Sequence, residues 1–401
     1  MRRPGVALPL EGFTVVSLEQ AVAAPLATRH LADLGARVLK IERVDGGDFA
    51  RAYDSSVRGM GSHFVWLNRG KESVSLDVKS AEGLALLRAL IERADVFVQN
   101  LAPGAAARLG LSAAQLRAGR PELVVVDMSG YGSSGPYRDR KAYDLLVQSE
   151  GGLVSITGTP EAPAKTGIPT ADIGAGMYAY SGVLAALVRR GRTGEGAHIE
   201  VSMLDAVAEW MGHPLYLAAH TGEQPPRAGL SHPVIAPYDA YPAADGTEVL
   251  IGIQNDRGWV RLVTDVLGRP ELAVDPEFAT NVARVRNRAQ VDAIVAAGTK
   301  AFPADELVRR LDEAGIASAR LNTVRQLIEH PQLSERDRWR SVETPVGPIQ
   351  AMLPPTTFAD TEASMGPVPA HGQHTAAVLA ELGCGEAEIA GLSERGVVFT
   401  G

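Results

Sequence analysis

Asp172 lies in the segment Lys165-Thr166-Gly167-Ile168-Pro169-Thr170-Ala171-Asp172-Ile173-Gly174-Ala175-Gly176. There a proline-bearing extended stretch gives way to small residues and then to an apolar helical pattern. A lone carboxylate so placed has two roles open to it. It can cap the helix, since Asp is a favoured N-cap. It can also attack an acyl group, with Gly174 and Gly176 forming a flexible loop near the active site that lets another molecule approach closely. The pattern alone leaves both open. A second segment, Gly130-Tyr131-Gly132-Ser133-Ser134-Gly135, spells G-x-G-x-x-G after a buried strand pattern. A dinucleotide site needs a helix to begin there, so that its N-terminus meets the pyrophosphate. The residues from Pro136 to Arg140 read instead as an irregular polar loop, so a glycine turn is expected. His213, His220, His232, His330, His371 and His374 are scattered without an H-E-x-x-H frame, and no metal site is expected.

These residues need elements to hold them. Strand patterns run over 14–18, 37–41, 73–76, 96–99 and 123–128, with amphipathic stretches at 24–35 and 80–94 between them. Ser80 is the expected cap of the second stretch. Such alternation predicts βαβ units and a mostly parallel, Rossmann-like sheet. A longer helix pattern covers 175–190, followed by a strand over 198–203. Residues 222–237, rich in Pro, Gly and His, read as a linker. A smaller α+β domain follows, with a strand at 248–253 and helices at 259–267, 291–302 and 304–314. The expected division is a large α/β domain over 1–221, the linker 222–237, the small domain 238–325, and a segment 326–401 that returns to the large domain.

The 401 residues are 45% hydrophobic and 21% charged, as in ordinary globular enzymes. A net charge of −8 argues against nucleic acid or an anionic membrane as partner. Cys384 is the only cysteine, which suits a reducing compartment. The Met1-Arg2-Arg3 start is followed by Pro4, Pro9 and Glu11, which break any apolar signal region. The apolar run at 178–188 is too short to span a bilayer. A cytoplasmic location is expected.

Several ordered motifs resemble class III CoA-transferases, the formyl-CoA transferase and α-methylacyl-CoA racemase superfamily. They are Ala23-Ala24-Pro25, the run from Leu34 to Arg43, Gly46-Gly47-Asp48, the run from Leu67 to Ser73, the run from Ala94 to Asn100, and Thr193-Gly194-Glu195-Gly196 leading to Val201 through Ala206. The resemblance spans essentially the whole chain. It implies that Asp172 is the nucleophile and that Arg43, Lys71, Asn100, Leu101, Arg108, Lys141, Tyr143 and Met203 contact CoA or substrate. Arg and Lys suit the phosphates of CoA. Val22 stands where formyl-CoA transferases are expected to carry glutamine, and the glycine-rich loop of those enzymes is replaced by Gly252-Ile253-Gln254-Asn255-Asp256.

The resemblance further implies an interlocked homodimer with no tightly bound cofactor, the CoA thioester being substrate. Backbone N–H groups at the helix start by Asp172 are expected to stabilise an oxyanion. The branch most resembled transfers CoA from succinyl-CoA to itaconate, mesaconate or citramalate. Arg51, Arg227 and His232 are the expected partners of a distal carboxylate. The alternative on the same fold is an α-methylacyl-CoA racemase, whose His-Asp pair is matched here by Tyr143-Asp144. A tyrosine with an ordinary pKa near 10 is a poor proton shuttle at neutral pH, which favours the transferase.

Overall fold

The computed structural model describes residues 7–401. The Met1-Arg2-Arg3 start and Pro4, on which part of the signal-sequence expectation rests, lie outside the described residues. The chain divides into two compact units. The larger holds the residues up to Val154, then Lys165–Thr221 and Asp337–Gly401; the smaller holds Ser155–Ala164 and Gly222–Arg336.

The larger unit is built on a seven-stranded sheet. Its strands are β1 (Thr14–Leu18), β2 (Arg37–Glu42), β3 (Lys71–Leu76), β4 (Val96–Gln99), β5 (Val124–Ser129), β6 (His198–Ser202) and, at one edge, the last strand of the chain, Val398–Phe399. The spatial order from that edge is β3-β2-β1-β4-β5-β6, all parallel, with only Val398–Phe399 running antiparallel beside β3. This is the doubly wound order. Its switch point lies between β1 and β4, where a crevice opens beyond the strand C-termini.

Successive side chains point to opposite faces, and both faces are covered. Val15, Val38, Val96, Val98, Val124 and Val126 enter one core with helices α1 (Ala23–Asp33), α5 (Thr170–Thr193) and α6 (Met203–Trp210). Val16, Leu39, Ile41, Phe97 and Val125 enter the other with α3 (Ala81–Glu92) and the helices Thr375–Glu381 and Glu386–Glu394. Two short helices complete the frame of the site: α2 (Ser62–Leu67) and α4 (Asp144–Glu150). The glycine turn after β5 leads into no helix before Asp144. Trp339–Val342 and Ile349–Met352 form a separate antiparallel pair.

α5 begins earlier than the sequence pattern and runs for 24 residues, which makes it long and apolar enough to cross a membrane by length and composition. The expectation of too short an apolar run is thereby corrected. Gly174, Ala175, Gly176 and Ala179 continue the helix because their small side chains pack into the core. Near its C-terminal end, Arg190 is ion-paired to Asp95.

The smaller unit has a three-stranded antiparallel sheet of Tyr238–Pro242, Glu248–Gly252 and Ala317–Arg320. Helices Arg288–Thr299 and Ala304–Glu313 contribute Val291, Val295, Leu307 and Leu311 to a core around the fully buried Trp259. Residues 222–237 hold no helix or strand and group with this unit, as do 155–164, so its limits are wider than 238–325.

Candidate active site

Asp172 occupies the first turn of α5 but does not cap it. Pro169 stands at the N-cap, and proline offers no side-chain acceptor. The cap comes from 28 residues upstream. Asp144, the first residue of α4, accepts from the backbone N–H of Ala171 (2.8 Å) and of Asp172 itself (3.2 Å) through Oδ1. Its Oδ2 accepts from Gln148 Nε2 at 2.6 Å. Gln148 is buried, and its Oε1 accepts from the Thr166 amide (3.2 Å) and hydroxyl (3.1 Å). The segment entering α5 is thus tied down on both sides of the helix start.

This arrangement decides the electrostatics. A helix N-terminus ordinarily favours an anion, but here the amides of Ala171 and Asp172 are engaged by Asp144. Burial, and then the neighbouring Asp144 carboxylate, push Asp172 up to about 7. The expectation that the amides at this helix start stabilise an oxyanion is corrected for the same reason: Asp144 already occupies them. Transfer that needs ionised Asp172 should rise with pH through about 7 in the free enzyme. Replacing Asp144 by Asn removes the repelling charge, so the acid limb of kcat/KM should move to lower pH. An unmoved limb with unchanged protein stability would show that Asp144 does not act on Asp172.

The opposite wall is the β1–α1 turn at the sheet's switch point. Asn100 braces it twice, accepting from the Gln20 amide and donating to the Gln20 carbonyl, each at 2.9 Å. Ala21 has φ of 63°, a left-handed conformation that costs a residue with a Cβ. Its amide donates to Asp48 Oδ1 at 3.1 Å, and Asp48 Oδ2 accepts from the buried Lys40 at 2.8 Å. Val22 is buried beside Leu26 and Leu67, with Ile173 and Met177 of α5 packed against them.

Asp48 also caps the 3₁₀ turn Phe49–Ala52, which delivers Tyr53. Burial pushes the Tyr53 hydroxyl up to about 12, and the charges of Asp48, Asp172 and Tyr143 act in the same direction. Tyr53 belongs to an aromatic row: Phe49 to Tyr53 (5.7 Å between centroids), Tyr53 to His63 (5.6 Å) and His63 to Trp66 (6.4 Å). The Nδ1 of His63 is buried with no hydrogen-bond partner.

The other expected site residues divide. Tyr143 is exposed at the N-cap of α4, and Met203 is buried at the start of α6. Leu101 follows β4, its amide bonded to Gln99 Oε1 at 2.8 Å. Arg43 and Arg108 are exposed; Arg43 Nε donates to the Gly47 carbonyl at 3.2 Å. Lys141 is exposed in an open depression with Tyr131 and Arg140. Lys71 is a correction. It is 2% exposed, and its ammonium is spent on Glu19 (2.7 Å), the Pro25 carbonyl (2.9 Å) and Asn68 (3.0 Å), which leaves nothing for a phosphate.

Gly174 and Gly176 are not in a loop. They lie inside α5, where a Cβ on Gly176 would sit 2.6 Å from the Ala23 carbonyl and one on Gly174 would sit 3.3 Å from Trp210. They let α5 pack closely on its neighbours. The expected distal-carboxylate partners are engaged too. Arg51 forms a bidentate pair with Glu42 at 2.8 and 2.7 Å, and Arg227 donates to the Thr159 and Pro160 carbonyls. His232 Nδ1 accepts from the Val234 amide. Sequence reading missed Asp144 as a cap, and with it Asp48, Tyr53 and His63. The one local signal was Asp48 immediately before the short turn that it caps.

The family profile described as CoA-transferase family III matches residues 10–375. The chain belongs to CoA-transferase family III. Among curated relatives of this family III chain, a succinate–glutarate CoA-transferase of Agrobacterium fabrum is 35% identical, covering 93% of this chain and 96% of its own. An acetyl-CoA:oxalate CoA-transferase of Acetobacter aceti is 36% identical, covering 82% and 85%. Among solved structures, a CAIB/BAIF family protein from Brucella suis superposes with a TM-score of 0.83 at 34% identity, covering 94% of this chain and all of that one. The family places the chain among the CoA-transferases.

Proposed function

We propose that the chain carries CoA from an acyl-CoA donor, succinyl-CoA foremost, to a short dicarboxylate such as itaconate, mesaconate or citramalate, through a covalent adduct on Asp172. The observation that carries this reading is the placement of Asp172: a part-buried carboxylate relieved of capping by Asp144, in the first turn of α5, with Tyr143 at the N-cap of the helix that Asp144 begins. The Agrobacterium relative, named for succinate and glutarate, supports a donor and acceptor of this size.

The steps balance without any resident cofactor. An Asp172 oxygen attacks the thioester carbonyl, forming a mixed anhydride and breaking the C–S bond to release CoA thiolate. The thiolate attacks the aspartyl carbonyl, giving an aspartyl-CoA thioester and freeing the donor acid. The acceptor carboxylate then attacks that thioester, breaking its C–S bond to form a second mixed anhydride and release CoA thiolate. The thiolate attacks the acceptor carbonyl and breaks the anhydride C–O bond, giving the acceptor's CoA thioester and free Asp172. Both intermediates hydrolyse if water enters, so the buried setting of Asp172 serves the chemistry. A buried distal carboxylate needs a counter-group, and His63 offers an unpaired ring nitrogen beside Tyr53.

Incubation with succinyl-CoA and no acceptor, followed by hydroxylamine, is expected to leave a hydroxamate on the peptide containing Asp172. A panel of acids should then show C4 and C5 dicarboxylates turned over faster than acetate, with oxalate as the informative outsider. A hydroxamate on another residue would sink the mechanism, and acetate outrunning the dicarboxylates would sink the acceptor class. The working form is proposed to be a cytoplasmic homodimer, for which Leu215 and Tyr216 offer exposed apolar surface. A monomer by light scattering at micromolar concentration would remove that part.

A further inference from the structure

Arg29 and Asp33 of α1 and Arg69, side chains that the proposed transfer steps do not use, form a cluster in which two guanidinium groups face one carboxylate. Asp33 is held by Arg69 through two bonds, Nε to Oδ1 (2.8 Å) and Nη2 to Oδ2 (2.7 Å). Arg29 reaches the same Asp33 only at 3.7 Å, which is too long for a hydrogen bond. Its remaining contacts are neutral: Nη1 to the Trp66 carbonyl at 3.3 Å and Nη2 to His30 Nε2 at 3.0 Å. Its Nε has no hydrogen-bond partner, although the residue is only 6% exposed. His30 adds no charge, because burial and then Arg29 and Arg69 hold it down at about 3. The cluster therefore carries one uncompensated positive charge in a place where charges need partners.

A cavity of about 510 Å³ opens on this cluster. Among the described residues, Arg29 and Arg69 are its only charged lining side chains, and the rest of the wall is mostly apolar, with Trp66, Trp339, Val57 and Ile349 prominent. Its size falls within the range of small-molecule sites, and its build is theirs: apolar walls with one fixed charge to set orientation. Burial, then Arg69, weakens the protonated state of Arg29, with Asp33 opposing, as expected for a guanidinium short of counter-charge.

We propose that this cavity, whose lining does not include Asp172 and which meets the aromatic row of the active site at Trp66, is a binding site for a monocarboxylate with an apolar body, its carboxylate pairing with Arg29 and its body lying between Trp66 and Trp339. A monoanion matches the single excess charge, and the lining holds no second cation free of Asp33 among the described residues.

Because two of the four tryptophans line the cavity, their fluorescence reports on it in the full-length protein. Titration with octanoate is expected to give a saturable change, and octanol at equal concentration a much weaker one. Arg29→Met should weaken octanoate by about tenfold or more, the scale of one lost charge pair. Ala351→Phe, which fills the cavity from the opposite wall and leaves the charges intact, should abolish the change even if Arg29→Met folds poorly. No saturable change with octanoate, an equal response to octanol, or an unaltered response in Ala351→Phe would each overturn the proposal.

Discussion

Asp172→Asn is expected to lose CoA transfer by about a thousandfold or more, since a carboxamide cannot open the thioester. The same variant should be more stable than the parent at alkaline pH. The sign follows from the raised folded-state value of about 7 against an ordinary 3.8. A carboxyl that holds its proton more tightly when folded stabilises most at low pH, and that contribution is lost as pH rises through the folded value. At pH 8 the ionised, buried Asp172 therefore works against folding, by about 2 kcal/mol after allowance for its partial contact with solvent. Asn removes this cost, so urea midpoints should rise at pH 8 and converge with the parent toward pH 4. A helix-cap role predicts the reverse, a variant with near-normal activity and no pH-dependent gain. Retained activity would end the covalent mechanism.

Lys40→Met is expected to produce the largest loss of stability. Lys40 is wholly buried between Asp48 (2.8 Å) and Glu19 (3.3 Å), and Glu19 is in turn bonded by Lys71 at 2.7 Å. Burial opposes the charge on Lys40, yet Asp48, Glu19 and Glu42 together raise its proton affinity. Methionine keeps the stem and deletes the charge, leaving Asp48 and Glu19 to repel across a dry interior. Breaking a buried pair in this way costs about 3–5 kcal/mol. Activity should fall too, because Asp48 is the group that holds the Ala21 amide. Urea denaturation with an unchanged m-value tests the first effect. The double variant Lys40→Met/Asp48→Asn should recover part of the loss, and a double variant less stable than the additive sum would contradict this account.

The local parts of this fold were legible because local rules govern them. Alternation and apolar runs placed the six parallel strands to within two residues, and Ser80 caps α3 as its type suggests, accepting from the Gly83 amide at 3.0 Å. The two-residue strand Val398–Phe399 is too short for a period to declare itself, and Ile349–Met352 lacks the continuous apolar run that marks the equally short β4. Asp172 could be picked out by its motif. Its actual cap could not, because Asp144 acts across 28 residues of chain. Lys71 shows the limit most directly. A lysine in a motif reads as a surface cation, and only the packed structure shows it turned inward onto Glu19.

The antiparallel pairing of Val398–Phe399 with Ser75 and Leu76 has a consequence for how the protein is made. The outermost strand leaves the ribosome more than three hundred residues after its neighbour β3. At about 5–20 residues per second the nascent sheet waits roughly 15–65 s with β3 as an open edge. An unpaired edge is a template for stray strands. A stop codon just before Val398 would therefore expose that edge permanently while sparing every residue around Asp172, and such a protein should be lost to aggregation rather than to failed chemistry.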